Sequence, residues 1–311
     1  MNVNGEKGEA GKIMSGLVSV VIPSYNHAHF LMQTLQSVID QTYTNWEALV
    51  IDNHSEDNTD SVVNSFKDTR IKLLKINNGG VIAASRNLGI QHAQGEWVAF
   101  LDSDDYWKED KLEICADFLN KNNQYVGICH SEDWSSKDNK FIKNYGPEKN
   151  FTFKRLLTKG NCISLSAMVV KKSIIVDVNN FSENTEFITA EDYDLWLKLS
   201  KRGHRIKFIK DLLGTFRIHE LSESSNVEKN TAAVCSVIKK HCYNNIKQNK
   251  YLSNAYIIAG KISQLGNYKR NALRYYLKSI KHNPVQIKSL CMIISLIIPY
   301  NLLAILRNRI N

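Results

Sequence analysis

Proline is scarce in this chain, with four in 311 residues, and glycine numbers only fifteen. Collagen-like and low-complexity chains draw roughly a quarter or more of their residues from these two types, so both classes are excluded. Cysteine provides no scaffold either. Cys115, Cys129, Cys162, Cys235, Cys242 and Cys291 are scattered, with no C-x-x-C pair and no partnering histidine spacing, which points to reduced thiols in a cytosolic protein. No G-x-G-x-x-G or Walker A sequence occurs, so dinucleotide oxidoreduction and P-loop hydrolysis have no support. The first sixteen residues lack the apolar core of a secretory signal and read as a short disordered lead-in.

What is present is a globular composition, 43% hydrophobic, over a length that suffices for one large domain or two ordinary ones. The formal charge of +9 first suggests an anionic partner. Its distribution changes that reading. Residues 226–311 hold fourteen Lys+Arg against one acid, Glu228, while the preceding 225 residues hold twenty-six bases against thirty acids. A uniformly basic nucleic-acid binder is not built this way; a mildly acidic body carrying a basic appendage is.

From Leu17 the chain alternates short apolar runs with amphipathic stretches. Leu17–Ile22 reads as a buried strand from its β-branched content, and Phe30, Leu31, Leu35, Val38 and Ile39 then recur at helical spacing. The pattern predicts further strands at Trp46–Asp52, Ile71–Ile76 and Glu96–Asp102, with helices at Asp57–Phe66 and Val81–Ala93. Such a series predicts a mostly parallel sheet covered by helices, with ligands beyond the carboxyl ends of the strands. Pro23–Asn26, Asp52–Asp57 and Asp102–Asp105 fall at those ends and are expected to converge. Further on, the spacing predicts a strand over Ile163–Val170, a helix over Glu191–Ser200 and strand structure over Arg205–His219. Helical periodicity returns around 231–247, 251–264 and 268–281.

Asp102, Asp104 and Asp105 crowd the end of a buried strand, where their mutual repulsion calls for a cation. Oxygen ligands of this kind suit Mg²⁺ or Mn²⁺, whose shell phosphate oxygens commonly complete. An acidic turn capping the next helix is the alternative use of these residues.

Five segments then stand together: Val18–Asn26 (VSVVIPSYN), Val50–Thr59 (VIDNHSEDNT), Asn78–Gly89 (NGGVIAASRNLG), Gly95–Asp105 (GEWVAFLDSDD) and Ala190–Trp196 (AEDYDLW). In order and spacing they resemble the family 2 glycosyltransferases of the GT-A fold, over residues 17 to about 222. The resemblance implies an α/β, Rossmann-like GT-A catalytic domain over 17–225, with a nucleotide-binding half (17–105) and an acceptor half (106–225). An α-helical extension would follow over 226–311.

Carried over residue by residue, the resemblance implies that Pro23, Tyr25 and Asp52 receive the base and ribose of a sugar nucleotide. A carboxylate there can accept the imide N–H of uracil or thymine, which cytosine lacks, and so favours a UDP- or dTDP-linked donor. Arg86 would lie near the base or diphosphate. Asp102 and Asp104 match the family's D-x-D motif, Asp102 towards the ribose and Asp104 on a divalent metal, with His219 a further candidate ligand and Arg217 a possible phosphate partner. Inverting transfer needs a general base opposite the leaving diphosphate. Asp192 matches that base, with Glu191 supporting it. The implied reaction is sugar transfer to a lipid-linked or glycan acceptor, in cell-surface polysaccharide, lipopolysaccharide or related glycan assembly. A non-catalytic module that holds a sugar nucleotide or glycan is the alternative.

Ser289–Leu306 is an uncharged run of eighteen residues, about 27 Å if helical, slightly short of a bilayer's hydrocarbon core and interrupted by Pro299 and Asn301. It reads as a membrane-associating segment lying in the interface. Lys269, Arg270, Arg274, Lys278, Lys281 and Lys288 stand upstream to meet anionic lipid at the inner face of the cell membrane. Tyr268, Tyr275 and Tyr276 among those bases would suit nucleic acid, but helical spacing explains them equally, and no nucleic-acid partner is expected.

Overall fold

The computed structural model describes residues 16–136, 139–219 and 226–297. The lead-in up to residue 15 and the Pro299/Asn301 part of the apolar run lie outside them, as do residues 220–225.

The first half forms as its pattern predicts. β1 (Val18–Ser24) and β2 (Trp46–Asp52) are buried at every position, because helices cover both faces of a central parallel strand. β3 (Ile71–Lys75) is the edge, and its exposed lysines, Lys72 and Lys75, pair with Glu47 and Asp52 of β2. β4 (Trp97–Phe100) lies on the other side of β1, giving the parallel order β3-β2-β1-β4. Connecting them are α1 (Ala28–Ile39), α2 (Thr59–Ser65) and α3 (Ile82–His92). Gly89 explains how closely α3 settles on the sheet: a Cβ there would lie 2.5 Å from Val21 Cγ1.

The sheet then changes character. After β5 (Tyr106–Trp107) and α4 (Lys111–Lys121) come β6 (Gly127–Ser135), β7 (Lys140–Lys143), α5 (Phe153–Lys159), β8 (Met168–Lys171), α6 (Lys172–Asp177), α7 (Glu191–Lys201) and β9 (Ile206–Arg217). β8 enters antiparallel between β4 and β6, β9 runs parallel to β6, and β5 closes the far side antiparallel to β9. Alternation along β1 divides the core. Val21 joins Leu49, Phe100, Leu195 and Trp196 on one face; Val20 and Ile22 join Leu35, Trp46 and Leu112 on the other.

The strand expected over Ile163–Val170 is shorter than its apolar content suggests, and only Met168–Lys171 pairs in the sheet. Asn161, Ser164 and Ser166 instead hydrogen-bond Asp192, Glu132 and Asp105. Those contacts hold the preceding segment out of the ladder.

Beyond residue 226, α8 (Val227–His241), α9 (Asn245–Leu265), α10 (Lys269–His282) and α11 (Ile287–Ile297) follow. The helical stretch expected over 231–247 breaks at Cys242–Asn244, where Cys242 is extended and the Asn244 side chain caps α9 by accepting from Lys247 N–H. Ala233, Val237, Ile238 and Leu252 share one apolar cluster with Trp196 of the body. Among the described residues no helix is long and apolar enough to cross a membrane.

Candidate active site

Parallel pairing sets the ends of β1, β2 and β4 at one edge, with Ser24 opposite Asp52. The Asp52 side chain is fully buried. Its Oδ2 accepts from Ser55 N–H (3.0 Å) and Lys75 Nζ (2.7 Å), and its Oδ1 accepts from the Ser55 hydroxyl. Ser55 Oγ in turn accepts from Asn26 N–H at 2.8 Å, so the loops after β1 and β2 are tied together through this carboxylate. Asn26 and His54 both sit at φ 54°, the left-handed region that asparagine and histidine tolerate better than most residues. Pro23 is buried in the strand, while Tyr25 projects from the loop, 54% exposed.

Arg86 is the pivot of the site. It lies buried on α3, not at the surface, and donates from Nη2 to Asp102 Oδ1 at 2.8 Å and from Nη1 to Glu191 Oε1 at 2.5 Å. Burial alone would lower the guanidinium's pKa; Asp102 and then Glu191 more than reverse this and hold it charged. One side chain thereby joins the end of β4 to the start of α7.

Asp192 follows Glu191 and is partly open to solvent. Its Oδ1 accepts from Tyr193 N–H and its Oδ2 from Asn161 Nδ2, both at 2.6 Å. Burial first and the Glu191 carboxylate second push the acid up to about 7, against the pull of Arg86 and the two hydrogen bonds. Ala190, not Asp192, occupies the cap position of α7, so the acid is not spent as a helix cap.

Asp104 faces His219, Oδ2 to Nε2 at 2.8 Å. Asp105 is fully enclosed, accepting from Ser166 Oγ (2.6 Å) and Arg217 N–H (2.9 Å). Burial, then the carboxylates of Asp104, Glu132 and Asp102, raise its pKa well above the usual range. Arg217 Nη1 donates to the Asp104 carbonyl at 2.6 Å, so it braces the acidic turn. Among the described residues no group of three His, Cys, Asp or Glu side chains is arranged to hold a metal ion. Of the expected trio, Asp104 and His219 face each other, while Asp102 turns its Oδ1 onto Arg86. The remaining chemistry still suits a divalent ion: a carboxylate and an imidazole converge within a crowd of acids repulsive enough to raise Asp105, and phosphate oxygens can fill the remaining positions.

Sequence reasoning missed Asn161, His27 and Glu132. His27 Nδ1 lies 2.9 Å from Ser103 Oγ beside the acidic turn. Glu132 is buried, accepts from Tyr145 Oη at 2.5 Å, and is raised by burial to about 7. His27 had a signal, as a histidine in the loop after β1; Asn161 had none, being 31 residues from the carboxylate it holds.

A mixed α/β sheet with carboxylates gathered at its strand ends, and one buried arginine joining Asp102 to Glu191, accords with the GT-A transferase class. Residues 19–176 match the model of glycosyl transferase family 2. The chain is 34% identical over 256 residues to the UDP-Glc:alpha-D-GlcNAc-diphosphoundecaprenol beta-1,3-glucosyltransferase WfgD of Escherichia coli, covering 81% of this chain and 97% of that one. It is 30% identical over 231 residues to a second E. coli enzyme of the same description, WfaP, covering 72% and 86%. Among solved structures, S. aureus TarS 1–349 in complex with UDP-GlcNAc superposes with a TM-score of 0.62 at 18% identity, over 85% of this chain and 81% of that one. The mannosyltransferase PcManGT from Pyrobaculum calidifontis, in complex with GDP-Man and Mn²⁺, gives 0.57 at 16%, over 91% and 85%. At such identities the superpositions show the fold alone. This chain belongs to glycosyltransferase family 2, and its activity is glycosyl transfer.

Proposed function

We propose that this protein transfers a sugar from a UDP- or dTDP-linked donor, with inversion, to a hydroxyl of a lipid-linked or glycan acceptor in bacterial cell-surface glycan assembly. The observation that carries the reading is Arg86, which sets Glu191 and its neighbour Asp192 against Asp102 at the β4 end. The E. coli relatives, named for UDP-Glc and a diphosphoundecaprenol-linked acceptor, support a uridine donor and a lipid diphosphate.

Tyr25 is the exposed ring on which the base stacks, with Pro23 as its rigid support. Asp52, enclosed at the pocket floor, organises the Asn26 and Ser55 loops around the base. Asp104 and His219 would hold a divalent ion, Mn²⁺ or Mg²⁺, with Asp102 beside them; when bound, it offsets charge developing on the leaving diphosphate. Asp192 takes the proton from the acceptor hydroxyl. That oxygen forms the new bond to the anomeric carbon as the bond to the diphosphate breaks, and the electron pair leaves with the diphosphate. An acid near 7 is matched to this task, because it is basic enough to accept the proton and substantially ionised at neutral pH. Asn161 aims the accepting oxygen, and Arg86 holds the Glu191 carboxylate in place beside it. The enzyme works at the inner face of the cell membrane, where a lipid-linked acceptor is presented.

Incubating purified protein and Mn²⁺ with UDP-, dTDP- and GDP-sugars, with a GlcNAc-diphosphate lipid as acceptor, tests the reading through nucleotide release. Turnover should favour UDP or dTDP and vanish in Asp192→Asn. Donor binding with no release under any combination would instead establish a non-catalytic module.

A further inference from the structure

The outward face of α10 is sharply patterned. Ala272, Tyr275, Tyr276 and Ser279 turn inward and are buried, Tyr276 so close to α9 that a Cβ on Gly260 would lie 2.3 Å from its ring. Helical periodicity sends Arg270, Leu273, Arg274, Leu277, Lys278 and Lys281 to the opposite side. These six line one open cleft, about 16 Å from end to end. Leu273 and Leu277 are 39% and 53% exposed. Arg274 reaches Glu228 at 3.4 Å, both side chains well exposed, which is a weak contact. Lys278 lies over the rings of Tyr256 and Tyr275. No acid belongs to the stripe, and Glu228 is the one acid in all of 226–311. α11 adds exposed Ile287, Leu290 and Ile294.

Charge and apolarity together select the partner. A second copy docking by symmetry would bring four cations against four. Nucleic acid would neutralise the cations yet leave both leucines in water. An anionic bilayer satisfies both, since headgroups meet the cations while leucines enter the boundary with the acyl chains. We propose that the α10 stripe, Arg270, Leu273, Arg274, Leu277, Lys278 and Lys281, docks this protein onto the anionic phospholipid headgroups of a membrane. This deepens the peripheral placement proposed above, and its test reads lipid binding without sugar transfer, so either reading can fail alone.

The test is flotation of the full chain with phosphatidylglycerol-containing vesicles and with pure phosphatidylcholine vesicles. Binding should require phosphatidylglycerol and weaken with salt. Replacing Arg270, Arg274, Lys278 and Lys281 with Gln should lower partitioning roughly 600-fold, since each base near an anionic surface is worth about a factor of five. Leu273→Ser with Leu277→Ser should weaken it further at high salt, where apolar insertion is what remains. Unchanged melting temperatures show that the variants fold. Equal binding to both vesicle types, or undiminished binding by the folded Gln variant, overturns the proposal. So does retention of DNA insensitive to the leucine changes, or a dimer that the Gln variant dissociates.

Discussion

Replacing Asp192 with Asn should abolish transfer and, above neutral pH, stabilise the protein. The wild-type carboxyl is raised from an ordinary 3.8 to about 7. A raised acid favours the folded state fully below the unfolded pKa, and that contribution is lost as pH rises through the folded pKa. Three units at about 1.36 kcal/mol each give roughly 4 kcal/mol lost between pH 4 and pH 8. Because Asp192 keeps a solvent-facing edge, this is a ceiling, and about 2 kcal/mol is expected. Asn removes the titration. It also loses the hydrogen bond from Asn161, a cost of about 1 kcal/mol, but that cost is the same at every pH. The discriminating quantity is therefore the difference in melting temperature between variant and wild type across pH 4 to 8. It should move in the variant's favour by several degrees as pH rises, at about 2 °C per kcal/mol for a chain of this size. In parallel, wild-type kcat should climb through an apparent pKa near 7. A pH-independent difference in melting temperature together with a flat activity profile would refute the assignment of a raised, proton-accepting Asp192.

Arg86→Met should cost about 3 kcal/mol, because it leaves buried Glu191 and half-buried Asp102 without their shared cation; chemical denaturation measures the loss, and Glu191→Gln in the same chain should recover part of it. Asp194→Asn should destabilise by about 2 kcal/mol, since this buried acid is held near 2, mainly by His241 and Lys240 of α8 against the burial that would raise it. A depressed acid contributes fully above pH 4 and loses that contribution as pH falls through about 2, so wild type and variant should converge in acid melting curves. Chelation should stop turnover and Mn²⁺ restore it, while Asp104→Asn with His219→Ala should raise the Mn²⁺ concentration required at least tenfold, read by activation titration and by isothermal titration of Mn²⁺ in the presence of UDP. Gly89→Ala should lower stability by about 1–3 kcal/mol, because its methyl group would press on Val21.

Much of the fold is written locally. Apolar-rich runs such as Val18–Ser24 and Trp46–Asp52 read as doubly covered strands, and the alternation of strand and helix through residue 102 points to parallel pairing. The acidic turn at Asp102–Asp105 was legible from short-range chemistry dense enough to stand out, and the Glu191–Asp192 pair from its match to the family's motif. Beyond residue 127 the signal weakened. Ile163–Val170 has strand composition, yet its Ser164 and Ser166 are drawn onto Glu132 and Asp105, and Asn161 just before it onto Asp192, partners distant in sequence.

The sequence by itself determined the catalytic body's layers, the carboxylates that gather at its edge and the segregation of positive charge into the last eighty-odd residues. Only the tertiary structure decided which partner each carboxylate takes. Arg86 could have been a solvated surface cation, but burial between α3 and α7 makes it the bridge from Asp102 to Glu191. Asp102 and Asp104 are two residues apart with the same side chain, and the fold gives one to an arginine and the other to a histidine. The physical reason is that a charge's role depends on its desolvation and its partners, and both are set by segments that meet only when the chain has folded.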